Sequence, residues 1–319
     1  MNFILFNNPE WATELLPFTF TRPIAAIRCG IFTLAEKWEN YLGHKVSHQA
    51  DLKFRALYPL VEQDTNVIVD GNIIATPGLA SVLLVLQPGE ALVSGNLVIA
   101  VCHTGSLRHP DLNSYAKNSR PVEYEGGKVE RLRHTCDIFA MVGNQIRADF
   151  RWIKDNFRNG KISDPYTVVY NPDNVFIEEG AKLTAAVLNA TEGPIYIGKN
   201  AEVQEGAVIR GPFALGEGSV VNMGAKIRQD TAIGPYCKVG GEISNSVLMG
   251  YSNKGHDGFL GNSVLGEWCN LGADTNTSNL KNNYDNVKLW SYSERGFINT
   301  GRIFCGLMMG DHSKAGINT

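Results

Sequence analysis

Seven histidines are spread over the 319 residues, and His256 stands apart from the rest. It lies in Asn253-Lys254-Gly255-His256-Asp257-Gly258, a polar loop that is followed by Asn270, by Ala273 in a Gly-Ala turn, and by Asn279. Imidazole is the side chain whose ordinary pKa is nearest neutrality, so a histidine in such a loop is suited to take a proton from an attacking group. A backbone N–H near Ala273, in a turn whose amides face outward, can stabilise charge on an oxygen. A loop histidine that is only solvated is the competing reading. In the first half, Asp70 follows Val67-Ile68-Val69, and a carboxylate at a strand end can hold Mg2+; Asp70-Gly71 reads equally as a turn. The six cysteines, at 29, 102, 136, 237, 269 and 305, show no CxxC spacing. That favours reduced thiols in core positions and a cytoplasmic protein over a zinc knuckle.

The elements that must carry these residues fall into two halves with different grammar. Residues 1–160 hold eleven of the 33 glycines and residues 161–319 hold twenty-two, so the second half has many more turns. In the first half, short apolar runs such as Phe3–Phe6, Asn66–Val69 and Leu97–Val101 alternate with helical patterns. One pattern places Ile24, Ile27, Ile31, Leu34, Trp38 and Leu42 at spacings of three and four; another runs from about Asp137 to Ile153. This predicts a small α/β layer domain over residues 1–160, with a polar linker at Asn156–Pro165. In the second half, Ile197, Val203, Ile209, Leu215, Val221, Ile227, Ile233 and Val239 fall on one six-residue grid. Gly follows the aliphatic residue at 198, 216, 234 and 240, and Ala201, Ala207, Ser219, Ala225, Thr231 and Cys237 supply small residues for the corners. Hexapeptide grammar of this kind predicts a left-handed parallel β-helix over residues 161–319. The grid breaks after Val239 and resumes with Phe259, Leu265 and Leu271, then with Ile303, Met309 and Ala315. Two insertions, Glu242–Asp257 and Thr277–Arg302, are expected between these blocks, and insertions in a solenoid commonly build the binding face.

The segment from Asn253 to Gly261, with Gly266-Glu267-Trp268-Cys269-Asn270-Leu271-Gly272-Ala273 and Asn279, resembles the acetyltransferase half of the bifunctional N-acetylglucosamine-1-phosphate uridyltransferase/glucosamine-1-phosphate acetyltransferase family. It is also similar to archaeal sugar-1-phosphate nucleotidyltransferases with a β-helix tail. The resemblance covers most of residues 165–319 and implies His256 as general base, Asn270 as a catalytic-site position and Asn279 on the sugar; the Ala273 N–H is the candidate donor to the thioester oxygen of acetyl-CoA. It further implies Arg228 on the sugar phosphate and Lys288 as an archaeal-type ligand. Phe259 stands where the family usually has a tyrosine that contacts the phosphate, and no lysine occurs between Gly240 and Val247 for a second phosphate ligand. The acceptor is therefore open, and so is activity itself. The final Gly316-Ile317-Asn318-Thr319 lies within a coil, which leads to the expectation of further coils completing the coenzyme site. Residues 15–28, Leu15-Leu16-Pro17-Phe18-Thr19-Phe20-Thr21-Arg22-Pro23-Ile24-Ala25-Ala26-Ile27-Arg28, resemble the sugar nucleotidyltransferase domain of a compact bacterial form of the same protein. The usual glycine-rich phosphate loop is absent, since Phe6 leads into Asn7-Asn8-Pro9-Glu10. Arg22 and Arg28 are the candidates to hold a phosphate, against the alternative of capping the domain surface or pairing with Glu14 and Glu36.

Composition narrows the classes further. With 29 Lys+Arg against 32 Asp+Glu, net charge −3, the chain has no basic surplus for a nucleic-acid polymer or an anionic membrane. The longest apolar run, Leu79–Leu86, is too short to span a bilayer, and the first residues read as a strand with no export signal. The expectation is a transferase of nucleotide-sugar and cell-envelope synthesis: a nucleotidyltransferase-like domain using a nucleoside triphosphate with Mg2+ and a sugar 1-phosphate, joined to an acetyl-CoA-dependent amino-sugar-phosphate acetyltransferase, as a homotrimer. A non-catalytic sugar-nucleotide-binding protein or scaffold, and acetyl transfer alone, are the alternatives. A zinc hydratase on the same coil needs three histidines, and only His256 and His312 lie there.

Overall fold

The computed structural model describes residues 1–107 and 111–319. Contacts divide the chain into two units, Met1–Ile27 with Phe32–His134, and Arg28–Ile31 with Thr135–Thr319.

The first unit is built on a six-stranded mixed sheet of β1 (Asn2–Phe6), β2 (Val46–Gln49), β3 (Thr65–Asp70), β4 (Glu90–Ser94), β5 (Leu97–Thr104) and β6 (Arg120–Glu123), in the order β2-β1-β3-β5-β4-β6. The first three strands are parallel, and β5 turns back antiparallel to β3. Phe3 to Phe6 and Val67 to Val69 are all buried, as expected of strands covered on both faces, which read as unbroken apolar runs. Phe6 pairs in register with both Gln49 and Asp70, so the carboxyl ends of β1, β2 and β3 share one edge. Helices α1 (Pro9–Glu14), α2 (Leu34–Leu42), α3 (Pro77–Leu83) and α4 (Leu112–Ala116) complete this unit.

The helical run expected from Ile24 to Leu42 is realised only in α2. Thr33 starts that helix with a capping box, its side chain accepting from the Glu36 N–H while Glu36 accepts from the Thr33 N–H. Upstream, Ile24–Ala26 is a single 3-10 turn after Pro23, and residues 28–31 leave for the second unit. Ile24, Ile27 and Ile31 are buried, but no shared helix face buries them.

In the second unit, α5 (Thr135–Asn156) lies against the parallel coils, close to the helix expected there. Segment 28–31 is strapped to this unit: the buried Asp149 carboxylate of α5 accepts the Ile31 N–H at 2.8 Å, and Arg28 Nε donates to the Met249 carbonyl at 3.3 Å. The coils form three parallel sheets. Face one runs from Val168–Tyr170 to Phe259–Gly261, face two from Val175–Ile177 to Met308–Met309, and face three from Lys182–Leu183 to Lys314–Ala315. All eight aliphatic residues of the grid are buried in one core with the corner alanines. This is the left-handed hexapeptide β-helix expected.

Three details of the grid differ. Phe259 faces outward in register with Glu242, and Leu260 takes the core position, paired with Ile243. Ile303 is exposed, whereas Met309 is buried as expected. The stretch Glu242–Asp257 is a coil rather than an insertion: Glu242–Ser244, Val247–Gly250 and Asn253–Lys254 pair with the coils on either side. Its corners are short, with inward positions at Ile243, Leu248 and Lys254, and a lysine in the last of these hides the pattern. The second insertion does leave the coil, between Leu271 and Met308, and carries an antiparallel hairpin of Lys288–Ser291 with Gly296–Asn299.

Candidate functional sites

At the shared edge of the first sheet, β1 ends in the bend Asn7-Asn8-Pro9, and Asn8 caps α1 by accepting the Glu10 N–H at 3.1 Å. Gly71 donates its N–H to the Phe6 carbonyl at 2.9 Å, and a Cβ on Gly71 would sit 2.8 Å from that oxygen. The absence of a side chain thus lets the ends of β1 and β3 close on each other. Asp70, the last residue of β3, is buried. Burial pushes its carboxyl up to about 6, against hydrogen bonds from the Asn72 backbone and the Asn8 side chain and the nearby charge of Arg131. Among the described residues no cluster of three or more His, Cys, Asp or Glu side chains is arranged to hold a metal.

Arg22 is buried in the first unit, whereas Arg28 belongs to the second, where its guanidinium donates to the backbone carbonyls of Met249 and Ile31. Of the two glutamates considered, Glu14 lies 3.7 Å from His134, and Glu36 serves the α2 cap. A cavity of about 650 Å³ in this unit is lined by His103, Thr104, Ser114, Tyr115, Lys117 and Asn118, among others. None of these was distinguished in the sequence, because β5 and α4 converge only in the tertiary structure. His103 and Tyr115 meet edge to face, with ring centroids 5.0 Å apart.

In the second unit, His256 is exposed in the turn between the Asn253–Lys254 and Phe259–Gly261 strands. The turn carrying Ala273 is stacked on it, since the Asp274 N–H donates to the Asp257 carbonyl at 3.2 Å and the Phe259 N–H donates to Asn276 Oδ1 at 2.9 Å. Gly258, at φ +117, is required there twice over, because a side chain would also strike the Thr275 carbonyl. Asn270 lies on face three, its side-chain oxygen accepting from Asn253 at 3.0 Å. Asn279 sits at the far end of the Phe259–Gly261 strand, donating to Asn262 at 2.6 Å. Thus His256 and Ala273 share a corner, and the outward Phe259 lies between that corner and Asn279.

Arg228 is on face one, its guanidinium 3.3 Å from Glu242, the residue in register with Phe259. Lys288 opens the hairpin, exposed and bonded to none of these residues. A second cavity, of about 530 Å³, is lined by Ser278, Asn279, Lys281, Asn282, Asn283 and Cys305 among others. The Asn- and Lys-rich run of the insertion was its sequence signal. The residue that sequence reasoning passed over is Lys254, buried inside the coil with Nζ 2.6 Å from the His256 carbonyl. All six cysteines are free and buried, and no described helix is long and apolar enough to cross a membrane.

Residues 3–157 match the family model described as sugar nucleotidyl transferase. The chain is 31% identical over 225 residues to a bifunctional sugar-1-phosphate nucleotidylyltransferase/acetyltransferase of Sulfurisphaera tokodaii, covering 69% of this chain and 49% of that one. It is 34% identical over 76 residues to the bifunctional protein GlmU of Methanococcus aeolicus, covering 24% of this chain and 18% of that one. It is 38% identical over 133 residues to the uncharacterized acetyltransferase YaiX of Escherichia coli, covering 41% of this chain and 57% of that one. The chain spans about half the length, or less, of the first two relatives. The family model ends at residue 157, so it includes α5, whose contacts are with the coils. Residues 3–157, which include the mixed α/β sheet, thus carry the match to the sugar nucleotidyl transferase family, and a hexapeptide coil follows them.

Proposed function

We propose that the protein is a bifunctional transferase of nucleotide-sugar synthesis, acting on a sugar 1-phosphate with a nucleoside triphosphate and on an amino-sugar phosphate with acetyl-CoA. The family match over residues 3–157 carries the first activity. There, a phosphate oxygen of the sugar 1-phosphate attacks the α-phosphorus of the triphosphate, and pyrophosphate leaves. Mg2+ would be held at Asp70: it commonly binds through one or two carboxylates plus substrate phosphates, and burial pushes this carboxyl up to about 6 despite the charge of Arg131, so a cation beside it would favour the charged form. The cation would neutralise phosphate charge. Arg22 is the arginine of the 15–28 stretch assigned to a phosphate, because Arg28 is directed at backbone carbonyls.

The second activity rests on the stacked turns that bring His256 beside Ala273. The acceptor amine attacks the thioester carbonyl, the C–S bond breaks, coenzyme A leaves, and neutral His256 takes the amine proton. Asn270 and the Ala273 N–H serve the thioester, Asn279 and Arg228 the sugar phosphate, and Lys288 the acceptor's outer edge. A homotrimer through the coil faces completes the reading, because flat parallel faces suit a closed symmetric assembly; a monomer in sedimentation at micromolar concentration removes it. The deciding experiment supplies purified protein with a panel of sugar 1-phosphates, UTP or dTTP with Mg2+, and acetyl-CoA, and follows pyrophosphate and free coenzyme A in parallel. His256→Ala should slow coenzyme A release roughly 10²- to 10⁴-fold while pyrophosphate release continues unchanged. Equal rates of coenzyme A release in the variant and the wild type would remove the general-base assignment, and ligand binding without either product would point to a sensor.

A further inference from the structure

The inward column of face three reads Leu183, Val203, Val221, Val239, Lys254, Leu271 and Ala315, so a lysine occupies a place that every neighbouring coil gives to an apolar residue. Lys254 is only 1% exposed. An amine placed in such a core is costly unless it makes a hydrogen bond that the fold needs. Its Nζ donates to the backbone carbonyl of His256, two residues on, at 2.6 Å.

The carbonyls of this turn show why the bond is needed. The corners at 204–207, 222–225 and 272–275 each close with an N–H···O=C bond of their own. The 255–258 turn instead takes its donors from elsewhere: Asn222 Nδ2 to the Gly255 carbonyl at 2.8 Å, Lys254 to His256, the Asp274 N–H to Asp257, and the Glu242 N–H to Gly258 at 3.2 Å. Below it passes Gly241, where a Cβ would lie 2.9 Å from the His256 oxygen and from Asp257 Cα. The turn is therefore seated on a bare backbone and fastened from inside. Burial pushes the Lys254 amine down, while the charges of Asp257 and Asp274 oppose that shift. Charged or neutral, the amine keeps an N–H for the carbonyl.

We propose that Lys254 is the positioning residue of the His256 turn, holding that backbone from within the coil so that the imidazole is presented in one orientation. Its catalytic consequence rests on the acetyl-transfer reading of His256; its structural content does not. The test is Lys254→Met in the full chain, which keeps the apolar stem and removes the donor. Three quantities are read: the His256 ring signals in 1H–13C NMR, assigned with His256→Ala; the melting temperature; and kcat and KM for acetyl-CoA with glucosamine 1-phosphate as acceptor.

The expected result is a broadened or split His256 signal, a melting temperature no lower than wild type, and kcat down by about ten- to a hundredfold with KM for acetyl-CoA nearly unchanged, as for a displaced catalytic group. Lys254→Gln, with an N–H donor on a shorter stem, should fall between the two, and it carries the comparison if the methionine variant does not fold. An unchanged His256 signal overturns the proposal. So does a lowered melting temperature with signals changed throughout the coils, which would make Lys254 a general structural residue. A wild type inactive with acetyl-CoA defeats the catalytic reading, and the NMR comparison still decides the role of Lys254.

Discussion

Asp70 and His48 are displaced by the same force in opposite senses. Both are buried in the first unit, and burial disfavours whichever form is charged. Asp70 is pushed up to about 6, and His48, packed edge to face on Tyr58, is pushed down to about 4. The stability linked to Asp70 is fully present below its unfolded value of 3.8 and is lost as pH rises through about 6. That linked to His48 is present above 6.5 and is lost as pH falls through about 4. Each amounts to ~3 kcal/mol, and between pH 4 and 6 the slopes oppose. Denaturant titrations of wild type should therefore give a nearly flat stability over this range. Asp70→Asn should be stabilised near pH 8 and weaken steadily with acid, whereas His48→Phe should weaken as pH rises. The Mg2+ reading adds that the metal, supplied with a nucleoside triphosphate, raises the midpoint of wild type and leaves Asp70→Asn unmoved.

Element boundaries depend on single side chains whose partners are local. The start of α2 is set by the reciprocal bonds of Thr33 and Glu36, and its end by Gly43 at φ +69. Removing the cap with Thr33→Ala should cost about 1 kcal/mol by chemical denaturation, and Thr33→Ser should restore most of it. The hexad coil has a different logic, in which each strand is only two to four residues long and is held by the coils on either side. That is why shortened corners between Val239 and Lys254 leave the strand pairing intact: the sheet bonds run between coils, and the corner absorbs the missing residues.

For the whole molecule, the division into units does not follow the order of the chain. Residues 28–31 belong with a helix and coils that begin more than a hundred positions later. Gly30 makes this possible: it has φ +104, and a side chain on it would strike the Asp149 carboxylate that accepts the Ile31 N–H. Gly30→Ala should therefore destabilise the second unit by about 2 kcal/mol or more, since it combines an unfavourable backbone with a displaced buried carboxylate. Hydrogen exchange of α5 amides checks this. Loss of protection should centre on α5, with β1 and β3 amides near wild type; protection lost only around β1 and β3 would contradict the assignment of the strap.

The periodic parts of this protein are legible in its amino-acid order. Eight aliphatic residues six apart with small residues at the corners admit one economical solution, a triangular coil with the aliphatic column inside, and apolar runs alternating with helical spacings require a layered α/β unit. Resemblance to a known family, not periodicity, singled out His256, Asn270 and Asn279, and the Gly-Ala turn singled out Ala273. Relations that have no period emerge only once the chain is folded. Lys254 looks like part of a polar loop until strand pairing places it in the Val239 column. Ile24, Ile27 and Ile31 have a helix's spacing, yet residues 28–31 are held by partners at 149 and 249. The cavity bounded by His103 and Lys117 exists because the end of β5 packs against α4. The physical reason is that local patterns record which side chains avoid water, whereas the strand column a residue enters and the segments it packs against are set by contacts that leave no period in the sequence.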